Sequence, residues 1–266
     1  MRARTTGNRV IRQEAARLQG VGATRRVLII AGGRIADDSA ARDTILGGDW
    51  EMVVCVDGGS AHAARLGVRP DVIIGDLDSA QEETMARFRH AGVTFVTHPV
   101  EKDKTDLDLA LEYVVARGAR EITAIGAIGD RLDHTLANVF LTIKAASFGA
   151  SLLLTDGTST VSLVQGEATI AGEPGDWVSL LPVGGSARGV YTEGLKYRLR
   201  GGELRTGETL GVSNELTGPV GKVRVEAGHV ILIHTPRRYY RPGRLRAPRK
   251  GWPGLPRPCA GTRALS

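Results

Sequence analysis

Two cysteines in 266 residues exclude a disulfide framework. Cys55 lies inside the apolar run VVCVDG and Cys259 in a polar tail, and neither belongs to a CxxC pair, so a reducing, cytoplasmic setting is expected. No stretch approaches the roughly 20 consecutive apolar residues of a bilayer span. The Arg-rich start also lacks the apolar segment and small-residue cleavage site of a secretory signal, so no membrane partner is expected. A GxxxxGK[ST] loop is absent, and any nucleotide must be held by other means. The histidines at 62, 90, 98, 134, 229 and 234 form no HExxH or related spacing, which leaves zinc without support. Aromatics are scarce at 5%, yet 42% hydrophobic and 24% charged residues suit one or two globular domains.

Acid is missing from the ends. The first 26 residues carry +6 and the last 30 carry +9, so the body between them stands at −9 within a total of +6. Such a body is a poor phosphate-backbone groove and a better holder of divalent cations, and nucleic acid is not an expected partner of it.

From Arg26 to Asp156 the runs VLIIA, MVVCV, VIIG, VTFV, ITAIGAIG and SLLLT alternate with helical patterns such as QEETMARFRHAG and DLDLALEYVVARG. About six strands and five helices are expected there, in a parallel sheet covered on both faces. Beyond Asp156, the segments VSLV, WVSLLPV, LKYRL, TLGVSNEL, KVRVEA and HVILIHT read as strands separated by Gly and Pro. The expected architecture is therefore a Rossmann-like α/β domain over 27–155, followed by a smaller all-β sandwich over 156–236. Residues 1–26 form a basic extension, and the Pro-, Gly- and Arg-rich tail 237–266 is expected to be disordered.

In parallel sheets, ligands gather where strand ends release the chain into loops. Carboxylates stand at three consecutive exits: Asp57 after MVVCV, Asp76 and Asp78 in GDLDS, and Asp103, Asp106 and Asp108 in EKDKTDLDLAL. Asp76 and Asp78 point to one side if the strand geometry persists through Leu77, and together suit a hard cation such as Mg²⁺. The plainer reading is that one of them caps the helix beginning near Ser79. Thr105 with Asp108 resembles a capping box. The amphipathic helix from Asp106 aims its N-terminus at the acidic cluster, and Lys102 and Lys104 add positive charge upstream, which together suit a metal-bound polyphosphate.

The next exit reads GAIGDRLDHTLANV, where Gly126 and Gly129 permit close backbone approach and Arg131 can meet phosphate oxygens bidentately. Asp133 and His134 open another helix; His134 has both a proton-transfer and a structural reading.

DGG (57–59), GDLDS (75–79), KDKTDLDLAL (102–111), GxxGDRLDHTLAN (126–138), EGLKY (193–197) and GVSNEL (211–216) occur in order. This set resembles the thiamine pyrophosphokinase family across roughly residues 27–234. The resemblance implies that the hydroxyl of thiamine attacks the β-phosphorus of ATP, giving thiamine diphosphate and AMP. It further implies a Mg²⁺ and phosphate centre at Asp76, Asp78 and Asp106, with Asp57, Asp103, Lys104 and Thr105 lining it. Gly129, Arg131, Asp133 and His134 fall on the nucleotide side. It implies a homodimer in which the second domain supplies the thiamine pocket from the partner, through Tyr197, Ser213 and Asn214. An aromatic face attracts the thiazolium cation by ~0.5–2 kcal/mol, and Tyr stacks less strongly than Trp.

Two rival readings are a diphosphokinase of the same architecture acting on a pterin-like hydroxymethyl compound, and a non-catalytic nucleotide-binding relative. The basic ends lie outside the resemblance. Solvated ends and loose contact with nucleic acid or an anionic surface both fit them; the first 26 residues also fit a transit peptide except in being poor in Ser.

Overall fold

The computed structural model describes residues 26–75, 82–98, 103–129 and 131–239. Asp76, Asp78, Lys102 and nearly all of both basic ends, including the tail expected to be disordered, lie outside the described residues. Six strands carry the first half: β1 (Arg26–Ile30), β2 (Met52–Val56), β3 (Val72–Gly75), β4 (Thr94–Thr97), β5 (Glu121–Ile125) and β6 (Ser151–Thr155). Between them lie α1 (Asp38–Leu46), α2 (Gly59–Leu66), α3 (Glu82–His90), α4 (Asp106–Ala116) and α5 (Leu132–Ser147). The strands pair in parallel in the order β6-β5-β1-β2-β3-β4. Strand order reverses at β1, flanked by β2 and β5, and an open α/β sheet leaves a crevice beyond its strand ends at such a point.

Alternation within the strands builds two cores. Val27, Ile29, Val54, Val56, Val72 and Ile74 face α4 and α5, whereas Leu28, Ile30, Cys55 and Ile73 face α1, α2 and α3. Both faces are apolar, as a doubly covered sheet requires. Leu111 of α4 is fully buried in the first core, and its truncation to Ala is expected to cost ~2–5 kcal/mol. No helix among the described residues is long and apolar enough to cross a membrane.

The second half is antiparallel: β7 (Thr160–Val164), β8 (Glu167–Ala171), β9 (Trp177–Glu193), β10 (Arg200–Leu204), β11 (Asn214–Glu215) and β12 (Val220–Thr235). These strands enclose their own core of Val, Leu and Ala side chains, including Leu180, Leu195 and Val223. The sheet nevertheless runs on without interruption, because β7 pairs with β6 through Leu154–Val161 and Thr155–Thr160 and with β12 on its other side. KVRVEA and HVILIHT belong to one long strand, β12, which holds β8 along 220–224 and β7 along 230–234.

Two expected strands are corrected. In LKYRL the ladder begins only at Arg200, because Gly194 turns the chain at φ 66° and the Tyr197 backbone is bound by a side chain. In TLGVSNEL only Asn214–Glu215 forms a strand, followed by a single bridge from Leu216 to Leu195, because Ser213 at φ 60° breaks the pleat.

Candidate functional site

A cleft of about 380 Å³ opens at the switch point, between the loops that follow β1 and β5. Glycine lets these loops approach. A Cβ on Gly126, which sits at φ 70°, would lie 2.6 Å from the Ala31 carbonyl oxygen. The Gly33 N–H donates to Gly126 O at 2.9 Å and Ala31 N–H to Ile125 O at 2.8 Å, so backbone alone ties the walls together.

Asp57 and Asp106 both line this cleft, from the end of β2 and from the first residue of α4. Asp57 has φ 46°, and among the described residues only Asp57 and Ser213 combine a positive φ with a side chain. Strained backbone of this kind persists where the surrounding structure over-determines it. Asp57 also meets the neighbouring strand end: a Cβ on Gly75 would stand 2.1 Å from Asp57 Oδ1. Gly75 immediately precedes Asp76 in the sequence, so the DGG and GDLDS motifs meet there.

Thr105 lines the cleft and caps α4, with its Oγ1 accepting from the Asp108 N–H at 3.3 Å. The reciprocal half of the capping box is replaced. Asp108 Oδ1 accepts from Lys144 Nζ of α5 at 2.5 Å, and Lys144 also reaches Glu112 at 2.7 Å. Lys104 turns to the same cluster, donating to both Glu112 oxygens at 2.7 Å, and does not line the cleft. Partial burial pushes the Glu112 carboxyl up, but Lys104 and Lys144 outweigh it and hold the group below the usual glutamate range. Asp103 is exposed just ahead of the helix and likewise does not line the cleft.

On the opposite wall, Gly129, Arg131 and His134 line the cleft. The Arg131 guanidinium grips the Asp133 carboxylate at 2.5 and 3.2 Å, and this pairing lowers the Asp133 pKa to about 2. Both side chains are mostly exposed, so the pair fixes the direction of Arg131 more than it adds stability. Thr135 Oγ1 accepts from Gly129 N–H and donates to Gly129 O, while buried Asn138 donates to Ala127 O at 2.7 Å. Two side chains of α5 thus hold the glycine loop that precedes their own helix.

Tyr197, Ser213 and Asn214 form a second constellation, and none of them lines the cleft of this chain. Asn214 is buried: its Oδ1 accepts from the N–H groups of Tyr197 and Glu215 at 2.9 Å, and its Nδ2 donates to Tyr197 O at 2.7 Å. That clamp presents the Tyr197 ring to solvent at 63% exposure, with Lys196 Nζ 5.5 Å from the ring centroid. The Ser213 N–H donates to Ser179 Oγ at 3.1 Å, which ties the strained residue to β9.

Sequence reasoning missed Gly32, Gly33 and Arg34, which line the cleft immediately after β1, and the structural work of Asn138. The signal was present: AGGR follows the first apolar run, where the switch-point rule places phosphate-binding backbone.

Comparison with known proteins follows the same division. A family described as thiamin pyrophosphokinase, catalytic domain, matches residues 48–154, and one described as thiamin pyrophosphokinase, vitamin B1 binding domain, matches 167–232. Thiamine pyrophosphokinase of Bacillus subtilis (strain 168) is 30% identical over 182 residues, covering 68% of this chain and 85% of that protein. Thiamine pyrophosphokinase 2 of Arabidopsis thaliana is 28% identical over 194 residues, covering 62% of this chain and 72% of its own length. The crystal structure of thiamine pyrophosphokinase from Bacillus subtilis superimposes with a TM-score of 0.71 at 28% identity, over 80% of this chain and 99% of that one. That of Geobacillus thermodenitrificans gives a TM-score of 0.68 at 29% identity, over 79% of this chain and 97% of that one. Both halves of the fold are matched in their sequence order, and the chain belongs to the thiamine pyrophosphokinase family.

Proposed function

We propose that the cleft binds ATP with Mg²⁺ and that the hydroxyl of thiamine attacks the β-phosphorus there, giving thiamine diphosphate and AMP. The observation that carries this reading is the meeting of Asp57, Asp106 and Arg131 in one cleft at the sheet's switch point, beside the N-terminus of an 11-residue helix. Two carboxylates supply hard oxygen donors, which suits Mg²⁺. Asp76 and Asp78 are proposed as further ligands on their sequence position after Gly75. When bound, the ion neutralises charge on the transferred group.

The chain's own part is positioning. Arg131, oriented by Asp133, meets phosphate oxygens, and the α4 N-terminus faces negative charge. His134 lines the same cleft; Asp103 and Lys104 do not, and are proposed for this centre on their sequence position, with Lys104 paired to Glu112 in the present arrangement. Phosphoryl-type transfer asks little covalent help from protein, so such a site suffices.

The thiamine side of the site is proposed to come from a second copy. Residues 27–155 would supply the catalytic half and 156–236 the thiamine-binding half. Exposed apolar side chains support this at both places: Leu132, Leu136 and Phe140 along α5, and Tyr197, Leu210 and Val212 in the second half. Apolar surfaces of this kind call for a cover, and a symmetric dimer covers both. The setting proposed is cytoplasmic.

Incubation with thiamine, ATP and Mg²⁺, followed by identification of the nucleotide product, tests the reaction. AMP together with thiamine diphosphate is expected. ADP would make the protein a simple kinase, and no turnover with thiamine alongside turnover with a pterin alcohol would replace the acceptor.

A further inference from the structure

His62 lies on α2, outside the acidic and arginine clusters, and no motif assigns it a task. Its Nε2 is 2.8 Å from the carbonyl oxygen of Gly33, and its Nδ1 is 2.9 Å from Arg65 Nη2. The two contacts fix the ring's protonation. A guanidinium only donates, so Nδ1 must accept; a carbonyl only accepts, so Nε2 must carry the hydrogen. The imidazole is therefore the neutral Nε2–H tautomer. Arg65 is itself held by Asp38 at the start of α1, and Arg42 of α1 donates to Arg65 O at 3.2 Å. The relay runs from α1 through α2 to the loop after β1.

Gly33 is consequently fastened from two sides, by its N–H to Gly126 O and by its carbonyl to His62. Position 33 has no room for a side chain, since a Cβ on Gly33 would stand 2.4 Å from Gly126 O. In a trans peptide the C=O of one residue and the N–H of the next point in opposite directions. Turning Gly33 O to His62 therefore turns the Arg34 N–H away from α2. The Arg34 backbone packs toward Gly129, where an added Cβ would lie 3.1 Å from Arg34 N. Gly33, Arg34 and Gly129 all line the cleft.

We propose that His62, held by Arg65 as the Nε2–H tautomer, is a positioning residue that fixes the Gly33–Arg34 peptide and thereby sets the cleft's affinity for ATP. The inference rests on the reading that this cleft binds nucleotide. It assigns no chemistry to His62, which acts through the loop. Its loss should weaken nucleotide binding and leave the affinity for thiamine alone.

The test uses the full chain and a fluorescent ATP analogue titrated with Mg²⁺ present, alongside steady-state turnover. Wild type should bind the analogue; if it does not, the nucleotide reading itself fails and His62 is not at issue. His62→Ala should weaken binding and raise the KM for ATP about 3–10-fold, the range for one intramolecular hydrogen bond, with kcat and the KM for thiamine changed less than about twofold. His62→Gln, which keeps a donor at similar reach, should recover most of the loss, whereas His62→Leu should not. Melting curves establish that each variant is folded. Unchanged ATP affinity in folded His62→Ala, or an equal fall in every kinetic parameter with no rescue by Gln, overturns the proposal.

Discussion

The two halves of the molecule present their functional residues in opposite ways. In the first half the candidate residues stand at the ends of parallel strands and enclose a cleft, so one chain already makes a concave site. In the second half Tyr197 projects from a turn, and Leu210 and Val212 are likewise exposed and outside the small β core. Convergent strand ends make a pocket by themselves, whereas a projecting ring makes one only against another surface. On the proposed reading, the first half holds a ligand by itself and the second completes a site in another copy.

The most direct way to break this comparison is Asp106→Asn, which removes a cleft carboxylate at nearly constant volume. Turnover is expected to fall about 100-fold or more with an unchanged melting curve, because charge neutralisation of this kind is commonly worth that much. Activity near wild type in the folded variant would remove Asp106 from the site.

Next in size is recovery by mixing. Asp106→Asn chains refolded with Tyr197→Ala chains should regain up to about a quarter of wild-type activity, because half of random pairs are heterodimers and each has one intact site of two. Heterodimers confirmed by mass that regain nothing would show that each chain builds its own site.

Asn214→Ala sharpens the contrast by loosening Tyr197 without touching the cleft. It leaves buried backbone groups unpaired, and a loss of about 2–3 kcal/mol is expected with a raised KM for thiamine and an unchanged KM for ATP. A raised KM for ATP would mean that the halves are not separate in function.

Lys144→Met should cost about 1–2 kcal/mol at neutral pH, since it unpairs Asp108 and leaves Glu112 with Lys104 as its one remaining lysine. The sign with pH follows from Glu112, whose pKa is lowered on folding. Its contribution is present above the ordinary glutamate range and is lost as pH falls through the depressed folded value. The stability gap between wild type and Lys144→Met should therefore narrow in acid; a gap constant with pH would mean that the ion pair is not its source.

The smallest effect belongs to the tail. Ending the chain after Tyr239 should leave kcat and melting within error. The cut must not be earlier, because the Arg237 N–H donates to Asp176 Oδ1 at 2.8 Å and His234 Nε2 lies 3.0 Å from the same carboxylate. A large loss on removing residues 240–266 would give the tail a part in the site.

Much of this was legible beforehand where composition repeats. Near-continuous Val and Ile runs carried the parallel strands, and alternating helical patterns carried their crossovers. The second half was less legible because its strands follow tertiary demands: Ser213 leaves the pleat to meet Ser179, and β12 is long enough to merge two apparent segments. Charge alone also did not reveal the partner that Lys104 has in the folded chain. The Glu112 carboxylate one helical face away is that partner, and only the packing of α4 on α5 brings Lys144 to join them.

One turn carries a consequence for anyone who would cut or splice this chain. Asp156 and Gly157 join β6 to β7, with Asp156 Oδ1 accepting from the N–H groups of Thr158 and Ser159 at 2.8 Å. The same turn receives the Ala36 N–H on Asp156 O at 2.7 Å, and a Cβ on Gly157 would lie 3.0 Å from Asp37 O. Junctions between halves ordinarily accept insertions, tags and new termini. This one is also a bracket for the segment that follows β1, so a reporter domain inserted at 157 would register first as altered nucleotide handling, and separately expressed halves would each carry a raw sheet edge prone to self-association.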